Sequence, residues 1–408
     1  MQLTEILRKG PGVLLLCAAA APAAAQPTGS LTLQAAIDRA MSANPALVAA
    51  RLRRAVDLAG VNVAGERLNP EATIEFEKEA PKEAYGVAVP LELGGKRSKR
   101  IAVSEATVRA GAAELAATIA QVRNDVRRAY YGVLIADARL ALIEEARQLA
   151  TRVRDTAQQR FNAGSAPRLE VMQAELALAS AENEATAADS AVTAAHATLN
   201  AVLGQRLDAA LTLSSAVEGN APIAANVVLT QARTTSTELA VLDRQIETQR
   251  ARLTLAGALR VPDVTPTASF TRDAQPEFDY GWRAGVAVTV PLFTTHRAGV
   301  LVEQATLDQL LAQRQATVAR IEGQVTAAAV SAEAQRQLYL RYRDQIVPQA
   351  QQVEQVAQDA YQLGQTGIVP LLQALQSTRD VRLRALDAAS GFQTALADLE
   401  RAVGAPLP

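Results

Sequence analysis

Two interleaved apolar rows run through the first half of the chain. Ile119, Val126, Val133 and Leu140 recur every seven residues. Leu115, Val122, Ala129, Ala136 and Ile143 form a second row, offset by three or four. That spacing keeps one stripe of an α-helix turned toward a partner helix, with small residues set into the seam. The pattern predicts one helix over about 97–162. At 1.5 Å per residue such a helix is roughly 100 Å long, far more than a globular core needs.

A different period appears elsewhere. Tyr280, Trp282, Ala284, Val286, Val288, Val290 and Leu292 alternate with Gly281, Arg283, Gly285, Ala287, Thr289 and Pro291. Ala72, Ile74 and Phe76 alternate with Glu71, Thr73, Glu75, Glu77 and Glu79. A period of two predicts strands with one apolar face and one small or polar face. Strands of this kind fit either a sheet lying on a helix or the wall of a membrane barrel. Four strands cannot close a barrel, so a barrel would need several chains.

The chain repeats itself. Arg160-Phe161-Asn162-Ala163-Gly164 and Gln173-Ala174 are answered by Ala360-Tyr361-Gln362-Leu363-Gly364 and Gln373-Ala374. Val202-Leu203-Gly204 is answered by Ala402-Val403-Gly404, and Val89-Pro90-Leu91 by Val290-Pro291-Leu292. Leu68-Asn69-Pro70 is answered by Arg260-Val261-Pro262. The mature chain therefore reads as a tandem duplication, 26–227 and 228–408.

Each half follows one plan. Two helices come first, at 31–43 and 45–67, matched by 228–234 and 236–259. Asn44-Pro45 supplies a capping residue and a proline for the first turn. Two strands follow, 71–79 and 84–93, matched by 264–272 and 280–293. Then come the long helix, 97–162 matched by 298–362, and a return helix, 168–203 matched by 367–403. The return helix and the helix before the strands together come close to the long helix in length. Stacked end to end, they would flank it fully and build a tube wall.

The densest basic run, Lys96, Arg97, Lys99 and Arg100 after Gly94 and Gly95, lies where a strand gives way to the long helix. Two glycines there permit an abrupt backbone turn. The spacing does not match a Walker phosphate loop. The second half answers with Thr295, His296 and Arg297, so His296 is expected where the first half has Lys96.

Composition narrows the class. The formal net charge is -1 and aromatics make up 3% of the chain, which excludes a globally basic nucleic-acid binder. The histidines are His196 and His296 alone, so no imidazole or thiol cluster offers itself for a metal or cofactor, and no catalytic constellation stands out. No uncharged apolar run reaches the ~20 residues of a membrane helix. Arg8-Lys9, the apolar stretch from Val13 to Ala21, and Ala23-Ala24-Ala25 form an export signal over residues 1–25. The lone cysteine, Cys17, falls inside it; cleavage after Ala25 and lipidation at Cys17 are both open, the large Leu16 favouring cleavage.

The stretches LTLQAAIDRAMSANPAL (31–47), VPLELGGKR (89–97), RFNAGSAPRLEVMQAE (160–175) and AYQLGQTGIVPLLQAL (360–375) resemble the TolC-type outer-membrane efflux protein family. The wording LELGGKR is most similar to the subgroup paired with heavy-metal cation pumps of the cobalt-zinc-cadmium resistance type. The resemblance implies an α+β membrane protein that acts as a non-enzymatic homotrimer. Four strands per chain would form a 12-stranded outer-membrane β-barrel, continued by a periplasmic α-helical barrel. It also implies a periplasmic adaptor (a membrane fusion protein), an inner-membrane transporter of the RND type, and contact with outer-membrane lipid.

Residue by residue, the resemblance makes Gly164, Ser165, Gly364 and Gln365 the adaptor-docking tips. It sets Gly94, Gly95, Lys96, Arg97, Lys99, Arg100, His296 and Arg297 at the periplasmic face of the membrane. Glu71, Glu75, Glu77, Glu79 and Arg283 would line the lumen. Just after the second tip the family narrows the tunnel mouth with acidic residues; this chain has Pro370 and Gln373 there, and Glu170 in the matching stretch of the first half. The expected cargo is divalent metal cations. The same channel could serve organic drugs or type I protein secretion, and a pore-less periplasmic coiled-coil scaffold is the reading from another class.

Overall fold

The computed structural model describes residues 30–214 and 222–407. The export signal and Cys17 lie outside the described residues. The first half contains α1 (Leu33–Ala43), α2 (Pro45–Ala64), β1 (Glu71–Phe76), β2 (Glu83–Ala88), α3 (Lys96–Asn162) and α4 (Arg168–Leu203). The second contains α5 (Ala225–Thr235), α6 (Thr237–Ala258), β3 (Val264–Ala274), β4 (Phe278–Val288), α7 (Arg297–Arg341), α8 (Val347–Gln362) and α9 (Ile368–Val403).

Local chemistry sets the boundaries. Thr32 caps α1 by accepting from the Ala35 N–H. The Asn44 side chain accepts from Ala46 and Leu47 at the head of α2, and Pro45 fills the first turn, where its missing N–H costs nothing. Glycines with positive φ end the long elements: Gly164 at 73°, Gly204 at 70°, Gly364 at 72° and Gly404 at 80°.

The helices stack as staves. The long helix α3 packs against α4 and α2 on one side and against α6 and α9 on the other. In the second half α7 packs against α6 and α9, and α8 against α9. Asn44 Nδ2 donates to the Val202 carbonyl at 2.7 Å, so the end of α4 abuts the start of α2. The counterpart is Thr235 Oγ1, which donates to the Val403 carbonyl at 2.7 Å and joins α9 to the α5–α6 corner.

The core is correspondingly thin and divided. One cluster surrounds the fully buried Leu47, Val126, Val133, Leu199 and Leu203. Its counterpart holds Ala232, Val325, Leu399 and Val403, all fully buried. A third cluster ties the two hairpin ends together through Val153, Ala157, Val171, Tyr361, Ile368 and Leu371. Each fully buried Val or Leu contributes about 1.5–3 kcal/mol.

Three sequence expectations need correction. The second long helix is not uniform: a π-helical turn, Tyr342–Ile346, separates α7 from α8. Pro348 follows two residues later, and a proline lacks the N–H that a regular helix would use four residues back. Second, β1 ends at Phe76, so Glu77 and Glu79 fall outside it, in the connection to β2. Third, His296 holds the left-handed cap before α7, with φ 53°, as Gly95 does before α3, with φ 69°. His296 is thus the counterpart of Gly95, and Arg297 is the counterpart of Lys96.

Candidate functional site

The four strands form one antiparallel sheet in the order β1-β2-β3-β4, leaving β1 and β4 as its edges. Register fixes its two faces, because side chains opposite one another across an antiparallel pair point the same way. Ile74, Tyr85, Phe270 and Trp282 form one row, and Ala72, Val87, Ala268 and Ala284 the next. On the opposite face, Thr73, Gly86, Ser269 and Arg283 form a row, flanked by Glu75-Ala84-Thr271-Gly281 and Glu71-Ala88-Thr267-Gly285.

The apolar face is open. Ile74 is 64% exposed, Phe76 73% and Trp282 79%. A monomeric soluble protein rarely leaves such a patch uncovered. Apart from Glu71, Glu75 and Arg283, these rows of the opposite face are built of small and hydroxylated side chains. At Gly86 a Cβ would collide with the Thr73 hydroxyl, so that one position has no room for a side chain. No described helix is long and apolar enough to cross a membrane.

Below the sheet the basic run folds into a clasp. Gly94 and Gly95 both adopt positive φ, 67° and 69°. Lys96 is buried and bonds Asp263 at 2.7 Å, and Asp263 also accepts from the Leu93 N–H. Arg97 Nε donates to the Gly65 carbonyl at 2.6 Å, and Lys99 Nζ to the Gly94 carbonyl at 3.1 Å. Arg100 pairs with Glu92 and donates to the Glu66 carbonyl. These four cations thus gather the end of α2, the end of the first hairpin, the start of α3 and the start of β3. Arg297 is exposed at the matching place in the second half.

Sequence reasoning missed Asp263, Glu92 and the carbonyls of Gly65 and Glu66. One signal was available: an acid follows the proline before the strands in both halves, Pro70-Glu71 and Pro262-Asp263.

The helical wall carries ion pairs between the halves: Arg127 with Glu400 at 2.7 Å, Arg382 with Glu145 at 2.8 Å, Arg379 with Glu184 at 3.0 Å. The Arg382–Glu145 pair is exposed and contributes little, about 0–1 kcal/mol, whereas Arg127–Glu400 is largely shielded from solvent. A cavity of about 430 Å³ opens between α3, α4, α8 and α9. Glu354 borders it, and burial pushes its carboxyl above the usual range against the pull of Arg382. Nearer the sheet, Glu333 accepts from Arg336, Gln337 and the Ile223 N–H, which holds its pKa down at about 2.

The two tips are the same motif twice. Ser165 N–H donates to the Arg160 carbonyl at 2.8 Å and Gly164 N–H to Phe161. Gln365 N–H donates to Ala360 at 2.9 Å and Gly364 N–H to Tyr361. This is the Schellman pattern, which satisfies the last carbonyls of a helix and requires a left-handed residue. Arg160 lies over the Tyr361 ring at 4.8 Å, so the tips brace each other. Around them Leu169, Met172, Leu176, Leu363 and Val369 are exposed.

Histidine chemistry is not concentrated. His196 sits on α4, 3.4 Å from Asp137, while His296 is at the junction before α7. Among the described residues no group of three or more His, Cys, Asp or Glu could hold a metal ion.

Helices much longer than a globular core requires, set beneath a small sheet with an open apolar face, define a class of outer-membrane channel subunits. The chain belongs to the outer membrane efflux protein family, whose profile matches residues 36–205 and again 228–405. It is similar to the cobalt-zinc-cadmium resistance protein CzcC of Cupriavidus metallidurans, 28% identical over 70% of each chain. It is equally similar, at 28%, to the nickel-cobalt-cadmium resistance protein NccC of Alcaligenes xylosoxydans xylosoxydans, over 71% of this chain and 67% of that one. The solved outer-membrane channel OprN shares the fold, with a TM-score of 0.75 and 19% identity, over 91% of this chain and 89% of that one. The protein is thus an outer-membrane efflux component with a helical extension into the periplasm, of the TolC type.

Proposed function

We propose that three copies of this chain form a passive conduit that carries divalent heavy-metal cations across the outer membrane. The sheet carries this reading: its apolar face is exposed, its opposite face is polar, and both edge strands are unpaired. In a lipid bilayer unpaired edges are not tolerated, so the four strands must be continued by further chains until the barrel closes. Three chains give 12 strands. The polar face then lines the lumen with Glu71, Glu75 and Arg283, and the sheet-side glycines and cations lie at the periplasmic boundary. A pore-less scaffold would have no use for an exposed row such as Ile74, Tyr85 and Trp282.

The cargo assignment rests on the relatives, both named for resistance to cobalt and cadmium ions, and on carboxylates on the lumen face, which favour cations electrostatically. A conduit should pass its cargo without holding it. The tips, with exposed apolar residues beside Gly164, Ser165, Gly364 and Gln365, are the docking points for a periplasmic adaptor, which links the tunnel to an RND-type inner-membrane pump.

Deletion of the gene followed by a growth panel tests the cargo. Sensitivity to zinc, cobalt, cadmium or nickel is expected, together with no tight stoichiometric binding of those ions by calorimetry. Sensitivity confined to organic toxicants, or a defect confined to protein secretion, would overturn the metal assignment. A tight metal site on the purified protein would overturn the passive mechanism.

A further inference from the structure

The polar face of the sheet holds acids at both edges, Glu71 and Glu75 on β1 and Asp279 on β4, where Gln275 donates to Asp279. Among the strand residues on that face, Arg283 on edge strand β4 is the one cation. Its cross-strand partner is Ser269, and the diagonal neighbours on β3 are Thr267 and Thr271. No carboxylate within its own sheet faces it, and among the described residues it makes no ion pair. At the other edge, Glu71 and Glu75 on β1 face Ala88 and Ala84. Glu77 follows one residue past the strand, and its N–H still donates to the Lys82 carbonyl at 2.9 Å, so the chain there remains extended. A lone cation on one edge and a ladder of acids on the other are complementary.

Resting on the trimer reading above, we infer that Arg283 pairs with Glu77 of the partner subunit across the seam where β4 of one copy meets β1 of the next. Two constraints set that register. The offset from one copy to the next must be even, because an odd step would turn the Trp282 row into the lumen. Closure supplies the second constraint, because the strands of closed barrels tilt by about 35–45°. β3 and β4 overhang β1 and β2 at both ends, so the strand ends by themselves set no offset.

In a 12-stranded barrel an even offset of about four residues per chain gives a strand tilt of roughly 35°, whereas the next even step would carry Arg283 past Glu77 to Glu79, in the bend beyond the hydrogen-bonded hairpin. An offset of four sets Gly285 opposite Glu75, Ala287 opposite Thr73, and Arg283 opposite Glu77. The pair would lie on the lumen face near the outer end of the barrel. It would register the seam and remove one-third of the acidic charge that Glu71, Glu75 and Glu77 bring to it. This gives Glu77 a partner and a role at the interface between copies.

The test uses the full mature chain. A variant carrying Arg283→Cys and Glu77→Cys, treated with a short thiol crosslinker in detergent, should yield covalently closed trimers on a denaturing gel. Pairing Arg283→Cys with Glu71→Cys should yield few. A second measurement does not depend on cysteines: Arg283→Glu should lose most of the trimer after mild heating, and adding Glu77→Arg should restore most of it. If the native chain is trimeric but crosslinks best through position 71, or the swapped pair restores nothing, this inference is wrong. A native chain that is monomeric would instead refute the trimer reading itself.

Discussion

Asn44 Nδ2 donates to the carbonyl of Val202 at 2.7 Å while its Oδ1 accepts from the N–H groups of Ala46 and Leu47. One buried side chain thus caps the start of α2 and receives the end of α4. Two separate helices become one continuous stave along α3. Replacing Asn44 by alanine removes the cap and leaves the Val202 carbonyl without its donor. Each loss costs about 1 kcal/mol or more. Asn44→Ser keeps a cap acceptor and loses only the donor to Val202, so it should fall between the native chain and Asn44→Ala in thermal unfolding followed by circular dichroism.

The glycines divide into two physical kinds. A Cβ at Gly204 would collide with the Ala43 carbonyl, and one at Gly404 would come within 2.5 Å of the Thr235 carbonyl. At Gly164 and Gly364 nothing lies within 4 Å of that position. Gly204→Ala and Gly404→Ala should therefore destabilise far more than Gly164→Ala or Gly364→Ala, which carry only the left-handed penalty of roughly 1 kcal/mol. Unfolding midpoints of the four variants check this ranking.

Those same open tips carry the docking proposal. Gly164→Val with Gly364→Val disfavours the left-handed turns and shifts the surfaces offered to the adaptor. Efflux should fall while the protein still reaches the outer membrane at its normal level. Transport that survives both changes would remove the tips from the docking site.

Much of this architecture was legible because punctuation is local. Pro167 and Gly204 bracket α4 at Arg168–Leu203, and the seven-residue rows around Val126 and Val133 mark α3. The end-to-end stacking followed from helix lengths alone. The partners of the basic run were not legible, because they come from distant segments: Lys96 meets Asp263, and Arg97 meets a backbone carbonyl that has no sequence signature. The π-helical turn before Pro348 was likewise missed, since a proline can be absorbed by a bulge as readily as it can end a helix. The strand ends blurred because Pro266 has no N–H to return to Val89, while Leu91 still bridges to Val264.

Glu333 sets an acid limit. Its folded pKa of about 2 lies below the ordinary 4.5, chiefly through Arg336. A depressed carboxyl contributes stability that is complete above the unfolded pKa and is lost as pH falls toward the folded one. Native protein should therefore lose stability between about pH 4.5 and 2. Glu333→Gln should be less stable at pH 7 and lose less over that window. Denaturant midpoints at several pH values measure both effects.

The most direct test of the central claim is the mass and conductance of the purified mature protein. In mild detergent it should have the mass of three chains, and in a planar bilayer it should open a stable ion-conducting pore. A protein recovered from the periplasm as a soluble monomer, with no conductance on reconstitution, would contradict the account.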